Sequence, residues 1–491
     1  MNGATRLRMA AIALALAAVG SLMIRPIEDP DLWWLLRGGR YMIETRSFPT
    51  TDPFSYNAAG ATWINHAWGF ELLLYAVYAG AGTTGLILLQ ALVTIVIFGM
   101  LLGALRREGT PLGAALTLLV LAAVATHGFW RARPQLASYL FLLVFWSVLR
   151  DYRAGRSDRR LWLPGLTLLW VNLHGGFLVG LALVGLCVLG EIVDAMVAED
   201  PTARTFGRAR GLATTLGACL VAALVNPFHY HAIVFPIQVM GDTFALNYIS
   251  EWGSLPFRDP QVALLEGFVA AFLLLALVSP TPVRPSDLGI VMAFVHLGLQ
   301  ASRNAPLLLI VLLPVLGSLL GQWLAARAPR RRWRLDLGRR GGLAVAAVAA
   351  AVILGAWRGW PSASLAAQLR PGLGVADVFP QGAVAYLRSH RLPERLLNEY
   401  IWGGYLIWSL YPDYRVSMDG RAAVYGPQRF AEHVTIVDLH PGWRPALDRL
   451  GAQVAVIRAG SPLASLLVAS GDWQPRYEDA VVALLERRGS R

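Results

Sequence analysis

Apolar runs of membrane-spanning length recur along this chain, and they limit its fold more than any other feature. A bilayer core about 30 Å thick needs roughly 20 consecutive apolar residues in helical form. About eleven stretches approach that length: 9–24, 84–105, 111–126, 135–149, 161–173, 177–197, 211–225, 261–279, 286–300, 305–324 and 341–357. The stretch 67–80 is also apolar and fits either a span or a helix lying along the membrane surface. Charged residues make up 15% of the chain, against roughly 25% in soluble proteins. A disordered chain and a soluble multidomain protein are both excluded. The reading is a polytopic all-α membrane domain.

Every basic residue is Arg, and the net charge is +12. A basic excess can mark a nucleic-acid footprint, but here topology explains it and no nucleic-acid partner is expected. With the N-terminus inside and alternating spans, the inner segments before residue 360 hold twenty arginines and the outer loops nine. Arg collects on the cytoplasmic side, so the N-terminus is read as cytoplasmic. An odd span count then puts the C-terminus outside. Residues 9–24 lack a small-x-small cleavage site before Arg25-Pro26 and read as an uncleaved first span. Cys187 and Cys219 lie in apolar stretches and read as buried spectators, not as a disulfide or zinc framework.

Two domains follow: a transmembrane domain, 1–359, with a long first outside loop, 25–66, and a tail, 360–491. In the tail polar residues return. Short β-like runs (Val375 to Val378, Arg415 to Met418, Val454 to Ile457, Ala480 to Leu485) alternate with helical stretches such as Gly382 to Ser389 and Trp443 to Leu450. This predicts a C-terminal extracytoplasmic α/β domain.

Polar groups at membrane depth or in ordered outside loops are functional candidates. In the first loop, Pro30 fixes φ between Asp29 and Asp31. The pair can hold a divalent cation through oxygen, or one carboxylate can act as a base; equally, the two can cap the helix that starts at Leu32. Further along lie His66 and Glu71, with His66 read most simply as a hydrogen-bonded structural group. Arg131 and Arg133 beside Trp130 suit a phosphate or pyrophosphate group as well as interfacial snorkelling. Other outside loops add His174, Glu251 and Arg303. The tail carries two compact motifs. NEYIWGGYLIW includes Trp402 and Tyr405, which suit stacking on a sugar or peptide but also plain packing. VSMDGRAAVYG ends a β-run at Asp419 and Arg421, where α/β sheets present functional groups and where an ordinary Asp-Gly turn also fits.

This combination of first span, carboxylate pair, long outside loop, many further spans and outside α/β domain resembles the C-type (GT-C) membrane glycosyltransferase superfamily. DPDLWWLLRGGRYMIETRSFPTTDPFSYNAAG is similar to the first loop of the oligosaccharyltransferase catalytic subunit. IWGGYLIW is similar to that subunit's Trp-Trp-Asp-Tyr-Gly acceptor signature, with Gly403 or Gly404 in place of its Asp. DGRAAVYG and LDRLGAQVAVIRAGSPL match its later elements in character. The chain looks more like bacterial proteins related to dolichyl-phosphate-mannose mannosyltransferases.

The resemblance implies an inverting enzyme that moves a sugar from a polyprenyl-phosphate-linked donor to an extracytoplasmic glycan, lipid or protein acceptor, on the periplasmic side of a bacterial inner membrane. Asp29 would be the base, or with Asp31 would organise a Mn or Mg cation. Arg131, Arg133 and Arg303 would bind the donor phosphate. His66, Glu71, His174 and Glu251 would line the site, and Trp402, Tyr405, Asp419 and Arg421 would hold the acceptor. The alternative is a non-catalytic membrane scaffold or a transporter in envelope glycan assembly. A transporter should show related halves and midplane charges, and no convincing internal repeat is present.

Overall fold

A computed structural model describes residues 3–200, 204–241, 243–327 and 373–489. They divide into two compact units. One comprises Met1–Arg25, Ile87–Ile233 and Ile249–Leu373; the other comprises Pro26–Leu86, Val234–Tyr248 and Gly374–Arg491.

The first unit is helical. Its elements are α1 (Gly3–Met23), the later part of α3 (Trp68–Arg107), α4 (Leu112–Thr126), α5 (Gln135–Arg153), α6 (Trp162–Val171), α7 (Phe177–Val197), α8 (Gly207–Ala222), α11 (Pro260–Val278), α12 (Pro285–Gln300) and α13 (Ala305–Arg327). Each of the expected apolar runs within the described residues falls on one of these helices; 341–357 lies outside the described residues. Among the described residues, five segments are long and apolar enough to cross a membrane: Ala4–Met23, Trp68–Arg107, Leu112–Phe129, Phe177–Val197 and Ser302–Arg327. The ambiguous stretch 67–80 opens α3, whose helical geometry breaks at Gly82 with φ 59°, a left-handed value that glycine adopts readily.

Helix α13 is the axis of this unit. Residues 305–317 are all buried, as expected for a helix apolar on every side, and α4, α5, α11 and α12 pack around it. Small residues allow close approach between helices: a Cβ at Gly190 of α7 would sit 2.6 Å from the Cβ of Ser286 in α12.

The second unit holds a five-stranded sheet of order β2-β1-β3-β5-β4. The strands are β1 (Arg395–Asn398), β2 (Arg415–Val416), β3 (Val454–Arg458), β4 (Trp473–Glu478) and β5 (Val482–Arg487). β1 runs parallel to β2 and β3; β5 is antiparallel to β3 and β4. Helices α14 (Gln381–Ser389), α15 (Gly403–Leu410), α16 (Ala422–Val437), α17 (Trp443–Leu450) and α18 (Pro462–Ala469) complete it. Leu397, Ile436, Leu447, Ile457, Leu467, Trp473 and Leu485 form its core.

Three of the expected β-runs are strands in part. Val375 to Val378 is not: Val375 makes a single bridge to Ile27. The first loop thus belongs to this unit. Its helix α2 (Asp31–Thr45) packs on α15, and Ser55 bridges Val416 of the edge strand β2. The unit also holds α9 (His231–Gly241) and α10 (Thr243–Tyr248).

Candidate functional site

Asp29 and Asp31 are held in one rigid arrangement at the start of α2. Oδ1 of Asp29 accepts the Asp31 amide at 2.9 Å, and Oδ1 of Asp31 accepts Trp34 Nε1 at 3.0 Å. Asp29 is buried and Asp31 partly so. The helix dipole favours negative charge at this end. Two glycines let the sheet approach. A Cβ at Gly404 would lie 2.7 Å from the Pro30 carbonyl. A Cβ at Gly420 would collide with Asp31 Oδ1 and lie 2.9 Å from Trp34 Nε1. The Tyr400 hydroxyl donates to the Gly420 carbonyl at 3.4 Å. The glycines of IWGGYLIW and MDGRAA therefore bring the backbone of the α/β domain against the carboxylate pair.

Asp419 and Arg421, read from the sequence as an acceptor-holding pair, are both buried. Asn398 at the end of β1 fixes this segment: its Nδ2 donates to the Met418 carbonyl at 2.8 Å, and its Oδ1 accepts the Ser417 amide at 3.0 Å. Beyond it, Arg421 makes two bonds to Asp419, at 2.8 and 2.7 Å, and one to Asp52 at 2.8 Å. The Tyr425 hydroxyl donates to Asp419 at 2.6 Å. The guanidinium lies over the rings of Trp63 (4.6 Å) and Phe54 (5.0 Å). Asp52 also accepts the amides of Phe54 and Ser55, each at 3.1 Å, and the Ser55 hydroxyl. Burial alone would raise the Asp419 pKa, but Arg421 beside it holds the carboxyl below its usual range. The same ion pair with Asp419 and Asp52 outweighs burial and lifts Arg421 well above its ordinary value.

Trp402 and Tyr405 pack within the same unit. Trp402 is buried and donates Nε1 to the Val378 carbonyl at 2.9 Å. Tyr405 sits edge-on to Trp33 at 5.1 Å and stacks on Phe379 at 5.0 Å. His66 lies against Phe235, ring centres 5.2 Å apart. Glu71 is fully buried. Its Oε2 accepts Asn65 Nδ2 at 2.7 Å, and its Oε1 has no hydrogen bond among the described residues.

In the helical unit the structure brings Arg133, Arg303 and Glu251 together. Arg133 Nη1 contacts both Glu251 oxygens, at 2.8 and 3.0 Å. Arg303 Nη1 lies 3.8 Å from Glu251 Oε1, and its guanidinium sits 4.3 Å from the Trp252 ring centre. Arg131 donates Nε to the Gly128 carbonyl at 2.9 Å. Burial would raise the Glu251 pKa, but Arg133, Arg303 and Arg131 together hold it down to about 2. Three arginines against one carboxylate leave a net positive centre suited to a phosphate. His174 stands apart from them, its Nδ1 2.6 Å from Ser138 Oγ and accepting the Gly176 amide at 3.2 Å.

Because the folded pKa of Glu251 is depressed, its contribution to stability is present above about 4.5 and is lost as pH falls toward about 2. Melting of the wild type should drop across that window more than melting of Glu251→Gln. Equal slopes in thermal melts from pH 6 to 3 would show that the arginines do not stabilise this carboxylate.

Sequence reading did not single out Asp52 or Tyr425. Asp52 had a local signal, Asp-Pro before an aromatic, but its partner lies 369 residues away.

No family model matches the chain, and no curated protein matches it in sequence. Solved structures match its fold. The ArnT protein of Cupriavidus metallidurans in its apo state superposes with a TM-score of 0.57 at 18% identity, over 99% of this chain and 98% of that one. The same protein bound to undecaprenyl phosphate gives 0.55 at 17% identity, over 98% of each chain. The Archaeoglobus fulgidus oligosaccharyltransferase in its apo form gives 0.57 at 12% identity, over 92% of this chain and 69% of that one. The chain shares the fold of these proteins. With its apolar helices, it is an integral membrane protein.

Proposed function

We propose that this chain is a membrane glycosyltransferase that moves a sugar from a polyprenyl-phosphate-linked donor to an acceptor outside the cytoplasm. The observation that carries the reading is the Asp29–Asp31 pair, fixed by the Asp31 amide and Trp34 in a chain that shares its fold, end to end, with a protein solved bound to undecaprenyl phosphate.

In this reading Asp29 takes the proton of the acceptor hydroxyl as its oxygen bonds to the sugar C1. The C1–O bond to phosphate breaks on the opposite face, which inverts the anomeric centre. The leaving phosphate carries the electron pair away from C1. Asp31, bonded to Trp34, orients the loop, and its backbone amide holds Asp29 in place. About eleven spans place the N-terminus in the cytoplasm and the α/β domain outside, as the arginine bias requires.

Among the described residues no group of three or more His, Cys, Asp or Glu could hold a metal by itself. Two carboxylates fall short of a dedicated cage but fit a Mg or Mn ion shared with donor phosphate and water. Asp29 and Asp31 would hold such an ion, which would neutralise charge on the leaving phosphate.

The test is transfer from a panel of radiolabelled polyprenyl-phosphate sugars by the purified protein in nanodiscs, with Mn²⁺ or with EDTA. Label should leave the lipid for an acceptor or for water, and EDTA should slow it at least tenfold if the ion is shared as described. No donor binding and no turnover across the panel would move the reading to a non-catalytic scaffold.

A further inference from the structure

At the end of α5 and α13 away from the Arg133–Glu251 cluster lies a second charged centre, which the proposed transfer does not use. The two are separated by the length of α5, 19 residues or roughly 28 Å at 1.5 Å per residue. The centre surrounds a cavity of about 350 Å³, within the range of small-ligand sites, ~300–1,000 Å³. Arg150, Arg153, Arg156 and Arg284 line it, with Glu108 and Asp287 as its carboxylates.

The hydrogen bonds show which arginines are already committed. Arg153 is buried and saturated by Glu191 at 2.9 Å, Asp287 at 2.7 Å and the Ser286 hydroxyl; it ties α5 to α7 and α12. Glu108 takes two bonds from Arg150, at 3.1 and 2.8 Å, and one from Arg156 at 2.8 Å. Glu108 is thus fully engaged, and Arg156 Nε also donates to Asp151 at 2.8 Å. Nη1 of Arg150 remains buried with no hydrogen bond, 3.7 Å from Asp287. Arg284, exposed at the start of α12, has no side-chain hydrogen bond or ion pair among the described residues. A buried guanidinium nitrogen without an acceptor is costly, so the cavity offers Arg150 Nη1 to one further acceptor.

We propose that this cavity is an anion site that binds a phosphate group through Arg150, Arg156 and Arg284. Guanidinium pairs match the oxygen geometry of phosphate. Basic pockets between membrane helices on the cytoplasmic side commonly take anionic head groups. The phosphate comes either from such a lipid or from solution. Apolar Val283, Val315 and Leu319 on the same lining accommodate the ester part of a head group. The site is independent of the glycosyltransferase reading.

The experiment uses the full chain in nanodiscs at constant ionic strength set with chloride, read by thermal melting. In one arm inorganic phosphate is titrated in phosphatidylcholine alone; in the other, phosphatidylglycerol replaces part of the lipid, first without phosphate and then with phosphate titrated in. Arg284→Gln is the main variant, because Arg284 supports no other contact and its loss leaves the fold intact. Arg303→Gln, at the far end, is the control for phosphate bound there. Phosphate or phosphatidylglycerol should raise the melting temperature of the wild type and of Arg303→Gln. Arg284→Gln should need about tenfold more of either, the weakening expected from one lost charge-assisted bond. A response to phosphatidylglycerol that removes any further response to phosphate identifies a lipid occupant; a response to phosphate alone identifies a soluble one. Identical titrations of wild type and Arg284→Gln in both arms overturn the proposal.

Discussion

Asp29→Asn should lower sugar transfer by about 10²–10⁴-fold, the usual contribution of a positioned general base, and leave the protein folded. The geometry makes this variant informative. Asn keeps an Oδ1 acceptor, so the 2.9 Å bond from the Asp31 amide survives. What is removed is the charge and the capacity to take a proton. The loss should appear in kcat at saturating donor. Asp31→Asn should be milder, since its amide oxygen still accepts Trp34 Nε1. A melting temperature equal to the wild type separates chemistry from folding. Full transfer by Asp29→Asn would refute the base assignment while leaving the enzyme class intact.

The readings of Asp29 as a cap and as a reactive group turn out to share one geometry. The carboxylate does accept an amide at the helix start, and that bond is what fixes its orientation. The sequence displayed the carboxylates because Asp-Pro-Asp is a local pattern, and it displayed the helices because span length is local too. Long-range pairing has no such signature. Glu251 and Arg133 are 118 residues apart, and no local pattern links them. Strand β1 was invisible as four residues without alternation, and β4 because Pro475 demotes a strand to an edge; an edge is where the fold puts it. Gly403 and Gly404 read as flexible backbone beside aromatic faces. Their use is steric: Gly403 abuts Met418 and Asp419, and Gly404 abuts Pro30 and Trp34. Such a role depends on what approaches the missing Cβ, which no single sequence states.

Arg421→Met should be the most destabilising single change in the α/β unit, with a loss of roughly 3–5 kcal/mol, the cost of leaving buried charge without its partner. The substitution strands two carboxylates. Asp419 and Asp52 both have side chains with 0% exposure, against 2% for Arg421. Asp52→Asn should be milder, because Arg421 keeps both bonds to Asp419 and the amide oxygen still accepts Phe54. The pH dependence has a definite sign. The Asp419 pKa is depressed in the fold, so the stability it supplies is present above the usual carboxylate pKa of about 3.9. It is lost as pH falls through the lower folded value. Neutralising all three positions together, with Asp52→Asn, Asp419→Asn and Arg421→Met, should recover much of the stability that Arg421→Met loses alone, since replacing a whole buried ion set is often close to neutral. Tryptophan-fluorescence melts in detergent, with limited proteolysis of the first loop, read both effects. If Arg421→Met melts with the wild type, the loop is held instead by the aromatic contacts of Phe54 with Tyr41, Trp63 and Tyr411, and the ion set adds nothing to stability.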